Sequence, residues 1–191
     1  MLAEHVSIQL DDYDYDYQGR GCPHSPAQIS PGGAVLDIGS GLGVDSFIAS
    51  AATGPKGSVT GLDISRGEVE HATTRARNRG LANVKFVNAD MEKMPFEDNS
   101  FDVIVSNGAF CLAPNKETAF KEIYRVLKPG GRFSVSCTTN KVDLDTSVEW
   151  PICMRVFMPL RDTEPLLQNI GFLPTKYFWF YCTSRCINGP F

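Results

Sequence analysis

Three closely spaced glycines and a distant carboxylate carry the first chemical signal in this chain. Val35-Leu36-Asp37-Ile38-Gly39-Ser40-Gly41-Leu42-Gly43 runs from an apolar stretch into a glycine-rich turn, and Asp63 closes a second apolar run twenty residues after Gly43. Small residues let the main chain approach a ligand, a helix that starts at once offers free N–H groups, and a carboxylate at the next strand end accepts two hydroxyls. The set describes a nucleotide site at one edge of a parallel sheet. A dinucleotide fingerprint needs glycine where this chain has Val44, and the spacing G-x-G-x-G argues against a dinucleotide. Asp37 has two open roles, support of the turn and direct ligand contact, whereas Asp102 reads as structural.

The thiols are the second signal. Six cysteines, at 22, 111, 137, 153, 182 and 186, are too sparse for a disulfide scaffold and lack paired zinc spacing. In a reducing compartment they read as free thiols, and no metal site is expected. Cys182 and Cys186 are spaced C-x-x-x-C with no histidine nearby, and Cys137, inside or just past an expected strand, reads as packing.

The elements that position these groups alternate. Strand 34–38 leads to helix 44–53 ending at Gly54, then strand 58–62 and helix 66–79 ending at Gly80. Ser65-Arg66-Gly67-Glu68 has capping-box spacing, so that second helix starts directly after the strand that delivers Asp63. Strand 84–88, a loop through Pro95, strand 101–106, helix 116–127 and strand 131–136 follow, with Gly130-Gly131 ending the helix and turning the chain. Residues 138–160 read as an irregular insertion or short helix, 162–170 as a helix and 173–182 as a last strand. The fold class is therefore α/β, a Rossmann-like doubly wound, mostly parallel sheet with helices on both faces, truncated at its last strand because the tail 183–191 is short for another.

The bulk numbers fit one domain: 191 residues, 42% hydrophobic and 21% charged. Residues 1–31 read as an N-terminal arm, solvated or serving as a lid, because Asp11-Asp12-Tyr13-Asp14-Tyr15-Asp16-Tyr17 repels itself. Residues 32–182 form the expected domain. A net charge of −4 with no dense Lys/Arg patch excludes nucleic acid as a partner, and the lack of an 18-residue apolar run or a secretory signal leads to the expectation of a cytosolic protein with no membrane contact.

Over roughly residues 34–136 the chain resembles the class I S-adenosylmethionine-dependent methyltransferases. The resemblance rests on Asp37 to Gly43, on Asn88-Ala89-Asp90-Met91, on Met94 to Asp102, and on Glu122 to Gly131. It implies S-adenosyl-L-methionine as cofactor, with Gly39, Ser40, Gly41 and Gly43 at its amino-acid end. Asp63 and Ile64 would lie at the ribose, Asp90 on the adenine amino group, Met91 on the ring, and Asn107 at the methionine end. The implied reaction is in-line methyl transfer to a small molecule. A soft acceptor needs no base, and His5, His24 and His71 all precede residue 72, so no imidazole is expected near the ends of the fourth and fifth strands.

Within that family the thiol layout is most similar to the arsenite methyltransferases. These carry one cysteine in a glycine-rich segment before the first strand, one after the Ser-Asn of the fourth, and one after a tryptophan beyond the fifth. Cys22 and Cys153 match. At the middle position this chain has Gly108, and Cys111, three residues on, is expected to turn into the same cleft. Three thiolates would form a cage for a soft trivalent centre. The chain is expected to be shorter at both ends than that family. The other readings are methylation of a quinone precursor, a sterol or another small metabolite, and a silent cofactor-binding module.

Overall fold

The computed structural model describes residues 22–137, residue 147 and residues 160–173. Five strands, β1 (Ala34–Ile38), β2 (Ser58–Asp63), β3 (Val84–Asn88), β4 (Phe101–Asn107) and β5 (Leu127–Ser136), form one sheet in the order β3-β2-β1-β4-β5. Every pairing is parallel. The chain lays strands outward from β1 in one direction, then returns and lays them in the other. The order reverses between β1 and β4, the position at which open α/β sheets hold their ligands.

The register aligns the strand ends. Ile38 pairs Leu62 on one side and Ser106 on the other, Asp63 pairs Asn88, and Asn107 pairs Ser136. Gly39, Asp63, Asn88, Asn107 and Ser136 therefore stand in one row across the carboxyl edge. Ser106 Oγ fixes the central pair by donating to Ile38 O at 2.9 Å.

Both faces of the sheet are covered. Leu36, Ile38 and Ile104 pack with Phe110, Phe120 and Ile123. These lie on the side of α4 (Lys116–Val126) and α5 (Leu160–Ile170), where Leu166, Leu167 and Ile170 close the layer. Val35, Val59, Val103 and Val105 pack with Ala49 of α2 (Val44–Thr53) and Ala27 of α1 (His24–Ala27). The third helix on that side, α3 (Arg66–Asn78), reaches α2 by stacking the Arg79 guanidinium over Phe47, 4.8 Å from its centroid. β1 is buried from Val35 to Ile38, as a central parallel strand covered on both faces must be.

The elements follow from local chemistry. α4 buries Ala119, Phe120, Ile123 and Val126, the one-face spacing of an amphipathic helix, and Asn115 caps it by accepting from Thr118 N at 3.0 Å. Ser65 caps α3 by accepting from Glu68 N. The return bond comes from Asp63, not Glu68: Asp63 Oδ1 accepts from Ser65 N at 2.8 Å.

Most boundaries lie within two residues of the sequence reading, and the largest difference is at the start of β5. α4 ends at Val126, and β5 begins at once at Leu127, with Lys128-Pro129-Gly130-Gly131 forming an irregularity inside the β4–β5 ladder. Pro129 has no N–H to give that ladder, and Gly130 takes φ +76°. Lys128 pins the irregularity by donating to both oxygens of Asp102 at 2.9 Å, while Asp102 also accepts from Ala34 N at 2.8 Å. Asp102 is thus structural, and these donors hold its carboxyl below the usual range. The expected strand 173–182 and most of the 138–160 insertion lie outside the described residues.

Candidate functional site

The glycine loop is shaped by its contacts. Gly39 N and Gly43 N are anchored to Leu62 O and Ser40 O at 2.7 and 2.8 Å. Gly39, Gly41 and Gly43 all have positive φ, at +73°, +48° and +87°, conformations that side chains strain to adopt. The reasons for small size differ along the loop. A Cβ at Gly39 would lie 2.0 Å from Ala109 Cβ, and one at Gly43 would lie 2.7 Å from Phe86 Cζ. At Gly41, among the described residues, only Glu68 Oε2 would come within 4 Å of the added Cβ, at 3.9 Å. Gly61, which the sequence reading did not single out, is equally constrained: its Cβ would meet Phe86 at 2.4 Å and Ser40 Cβ at 2.9 Å.

Asp63 joins the loop to the edge of β2. Its Oδ2 accepts from Gly41 N at 2.9 Å and its Oδ1 from Ser65 N at 2.8 Å. Each oxygen keeps acceptor capacity beyond that one bond. Asn88 braces the same corner by donating to the carbonyls of Asp63 and Ile64 at 2.9 and 2.8 Å. Ile64 projects from it, 74% exposed. Ser40 Oγ is buried with no hydrogen-bond partner among the described residues. A buried hydroxyl left unpaired is costly. Asp90 follows β3 and is exposed, with Oδ1 accepting from Glu92 N at 2.8 Å, and Met91 beside it packs on the core of the α4 side.

Beneath the loop sits a polar cluster. Asp37 is fully buried and accepts from Ser46 Oγ at 2.6 Å. Burial, and then the Asp45 carboxylate, push Asp37 up to about 7 against the opposing effect of the Ser46 hydroxyl. Asp37 therefore ties β1 to the first turn of α2. Asp45, in the first turn of α2, is 8% exposed and lies between two partners: His24 Nε2 at 2.7 Å and Asn107 Nδ2 at 3.1 Å. His24 Nδ1 is buried with no partner among the described residues. This corrects the expectation of no imidazole near the end of β4. α1 lies over β4 and β5, tied by Ser134 Oγ donating to Pro23 O at 2.6 Å, so His24 stands one carboxylate away from Asn107. An acidic residue just after the third glycine was visible in the sequence, but nothing local linked it to His24.

The thiols divide. Cys22 is exposed and leads into α1. Cys111 is buried on a short 3-10 turn, Phe110–Leu112, with Sγ donating to Gly108 O at 3.1 Å. Cys137 follows β5 directly. Cys153 lies outside the described residues, as do Cys182 and Cys186.

The groove lined by Met94, Pro95, Phe96, Glu97, Asp98 and Arg125 lies elsewhere, at the start of β4 and about 20 Å along that strand from Asn107. Arg125 fills a structural role there: it donates to Glu122, Asp98 and the carbonyls of Phe96 and Met94.

Comparison with known proteins adds to this geometry. The methyltransferase-domain family matches residues 29–159. The chain is 33% identical over 177 residues to an arsenite methyltransferase of Halobacterium salinarum, covering 89% of this chain and 44% of that protein. It is 45% identical over 108 residues to the sterol 24-C-methyltransferase ERG6B of Gibberella zeae, covering 56% of this chain and 28% of that one. Among solved structures, an arsenic(III) S-adenosylmethionine methyltransferase from Chlamydomonas reinhardtii superposes with a TM-score of 0.76 at 32% identity, over 85% of this chain and 59% of that one. The chain spans half or less of the length of these two curated relatives.

Proposed function

This chain belongs to the class I S-adenosylmethionine-dependent methyltransferases, and from that membership we propose that it transfers a methyl group to a small acceptor containing trivalent arsenic. The observation that carries the reading is the row of Gly39, Asp63, Asn88 and Asn107 along one carboxyl edge, with Asp90 just beyond it.

The residues fit the cofactor. Among the described residues nothing crowds Gly41 and Ser40 Oγ has no partner, and both Asp63 oxygens retain acceptor capacity. Gly39, Ser40, Gly41 and Gly43 would hold its amino-acid end, Asp63 and Ile64 the ribose, Asp90 and Met91 the adenine, and Asn107 the methionine end. When bound, S-adenosylmethionine supplies an electrophilic methyl group on a sulfonium. The chain's own task is then alignment and exclusion of water. Asp37 supports the glycine turn without contributing a full charge at neutral pH, since burial favours its protonated form. Asp45 and His24 fix the Asn107 amide, acting as positioning residues.

The thiols support arsenic as acceptor. Cys22, Cys111 and Cys153 would present a soft trivalent centre whose own electron pair attacks the methyl group, so no base is needed. Residues 32–182 form the proposed catalytic domain, 183–191 a tail and 1–31 an arm or lid, within which α1 packs against β4 and β5. We place the protein in the cytoplasm, a reducing compartment that keeps such thiols free.

Calorimetry tests the cofactor: binding of NAD in place of S-adenosylmethionine overturns it. Incubation with arsenite, glutathione and S-adenosylmethionine should yield methylated arsenicals, with loss in Cys22→Ser and Cys153→Ser. The 45% identity to a sterol methyltransferase supports a second reading, in which a sterol or similar metabolite is methylated and arsenite is not.

A further inference from the structure

Cys111, Cys137 and Lys116 are gathered at the ends of β4 and β5. Asn107 pairs Ser136, and Gly108 N donates to Ser136 O at 2.8 Å, which sets Cys137 beside Gly108. The 3-10 turn folds back over the same glycine, and Cys111 Sγ reaches Gly108 O at 3.1 Å. Strand alternation agrees. Phe133 packs on Phe110 with ring centroids 6.0 Å apart, and residue 137, four positions on, continues that face, the one the Phe110-Cys111 turn covers. Lys116 donates to Cys111 O at 2.8 Å, and its ammonium interacts electrostatically with both thiols. Burial first, and then Cys111, push the Cys137 thiol up to about 11, with Lys116 opposing.

We propose that Cys111 and Cys137 form a dithiol that chelates a trivalent arsenical. This rests on the arsenic reading of the acceptor given above. It makes Cys137 a ligand where the sequence reading assigned it to packing, and it restores thiol density around Gly108, where the resembling family has its cysteine. With arsenous acid, two As–O bonds are exchanged for two As–S bonds. Each thiol proton leaves with a hydroxide as water, and no oxidation state changes. The weak thiol bond from Cys111 to Gly108 O is given up as the As–S bond forms.

The test uses the full reduced chain and phenylarsine oxide, whose arsenic–oxygen bond is replaced by two As–S bonds with release of one water. Intact mass spectrometry in excess glutathione should show one phenylarsenic unit per chain, and peptide mapping should show it bridging Cys111 and Cys137. Cys111→Ser and Cys137→Ser should each weaken the adduct roughly a hundredfold, because a monothiol lacks the second intramolecular attachment. Cys137→Ala, with an unfolding curve matching the native chain, guards against misfolding. A bridge mapped to Cys182 and Cys186, or an adduct unchanged in both Cys137 variants, overturns the proposal. An intact Cys111–Cys137 bridge with no methylated arsenic formed from arsenite upholds the dithiol and refutes arsenic methylation.

Discussion

Replacing Gly39 by alanine isolates the closest contact in the cofactor loop. Two costs add. At φ +73° an L side chain is strained by about 1–2 kcal/mol, and the new Cβ would stand 2.0 Å from Ala109 Cβ. Relieving such an overlap in a packed region costs about 1–3 kcal/mol. Gly39→Ala should therefore destabilise by roughly 2–5 kcal/mol, a large share of the 5–15 kcal/mol typical of a domain. Gly32 provides the control, because its φ is +83° yet no atom of the described residues lies within 4 Å of the added Cβ. Gly32→Ala should show the backbone cost alone. The clash is then removed from the other side: in Gly39→Ala/Ala109→Gly the nearest atom becomes Ala109 Cα at 3.5 Å, an ordinary contact. Urea unfolding of the four chains of this cycle should give a favourable coupling of about 1–3 kcal/mol between positions 39 and 109. Coupling within about 0.5 kcal/mol of zero, or a Gly39→Ala cost equal to that of Gly32→Ala, refutes the claim that the β1 loop and the turn before Cys111 are packed against each other.

Asp37→Asn tests the buried carboxyl. Its folded pKa of about 7 lies above the ordinary 3.8, so the native state holds a proton that the unfolded chain releases, and this contribution to stability declines as pH rises between those values. Urea midpoints of the native chain should fall relative to those of Asp37→Asn as pH rises across that interval; a native midpoint that rises relative to the variant contradicts the assignment. Arg125→Met should cost about 2–4 kcal/mol by stranding Glu122 and two carbonyls. Arg125 holds the Glu122 carboxyl below its ordinary value, so the stability this pair adds is present above the ordinary Glu range and is lost as pH falls through it; the gap in urea midpoint between the native chain and the variant should therefore narrow on acidification, and a gap that widens in acid contradicts the pairing. His24→Ala should destabilise by about 3 kcal/mol, because it takes the imidazole partner from the buried Asp45 carboxylate; a change under about 1 kcal/mol would show that α1 is not held by that pair. Asp63→Asn should weaken S-adenosylmethionine binding by about 10–100-fold in calorimetry, as a charged acceptor is replaced by a neutral one; unchanged affinity removes Asp63 from the site.

Much of this architecture could be read along the chain. The period-two and helical patterns placed β1, α2 and β3 at their observed bounds, because each element satisfies its own backbone and shows its buried face in its own sequence. The glycine loop and Asp63 were legible for the same reason: a turn of this kind announces itself in adjacent residues. The junction of α4 and β5 was misread because Gly130-Gly131 resembles a helix stop, while in the fold it serves a strand irregularity tied down by Lys128 and Asp102 from another strand.

Proximity across elements was decided by tertiary structure alone. The sequence by itself determined that Gly39, Asp63 and Asn107 directly follow the apolar runs of three strands, and that thiols lie at 22, 111 and 137. It did not determine that α1 would bring His24 to Asp45, or that parallel pairing of β4 with β5 would set Cys137 beside Gly108. Those meetings join residues separated by 21 and 29 positions, and they exist because the sheet register fixes which strand ends stand side by side. Local pattern specifies the pieces of this site, and the packing of the sheet and its helices selects which of them touch.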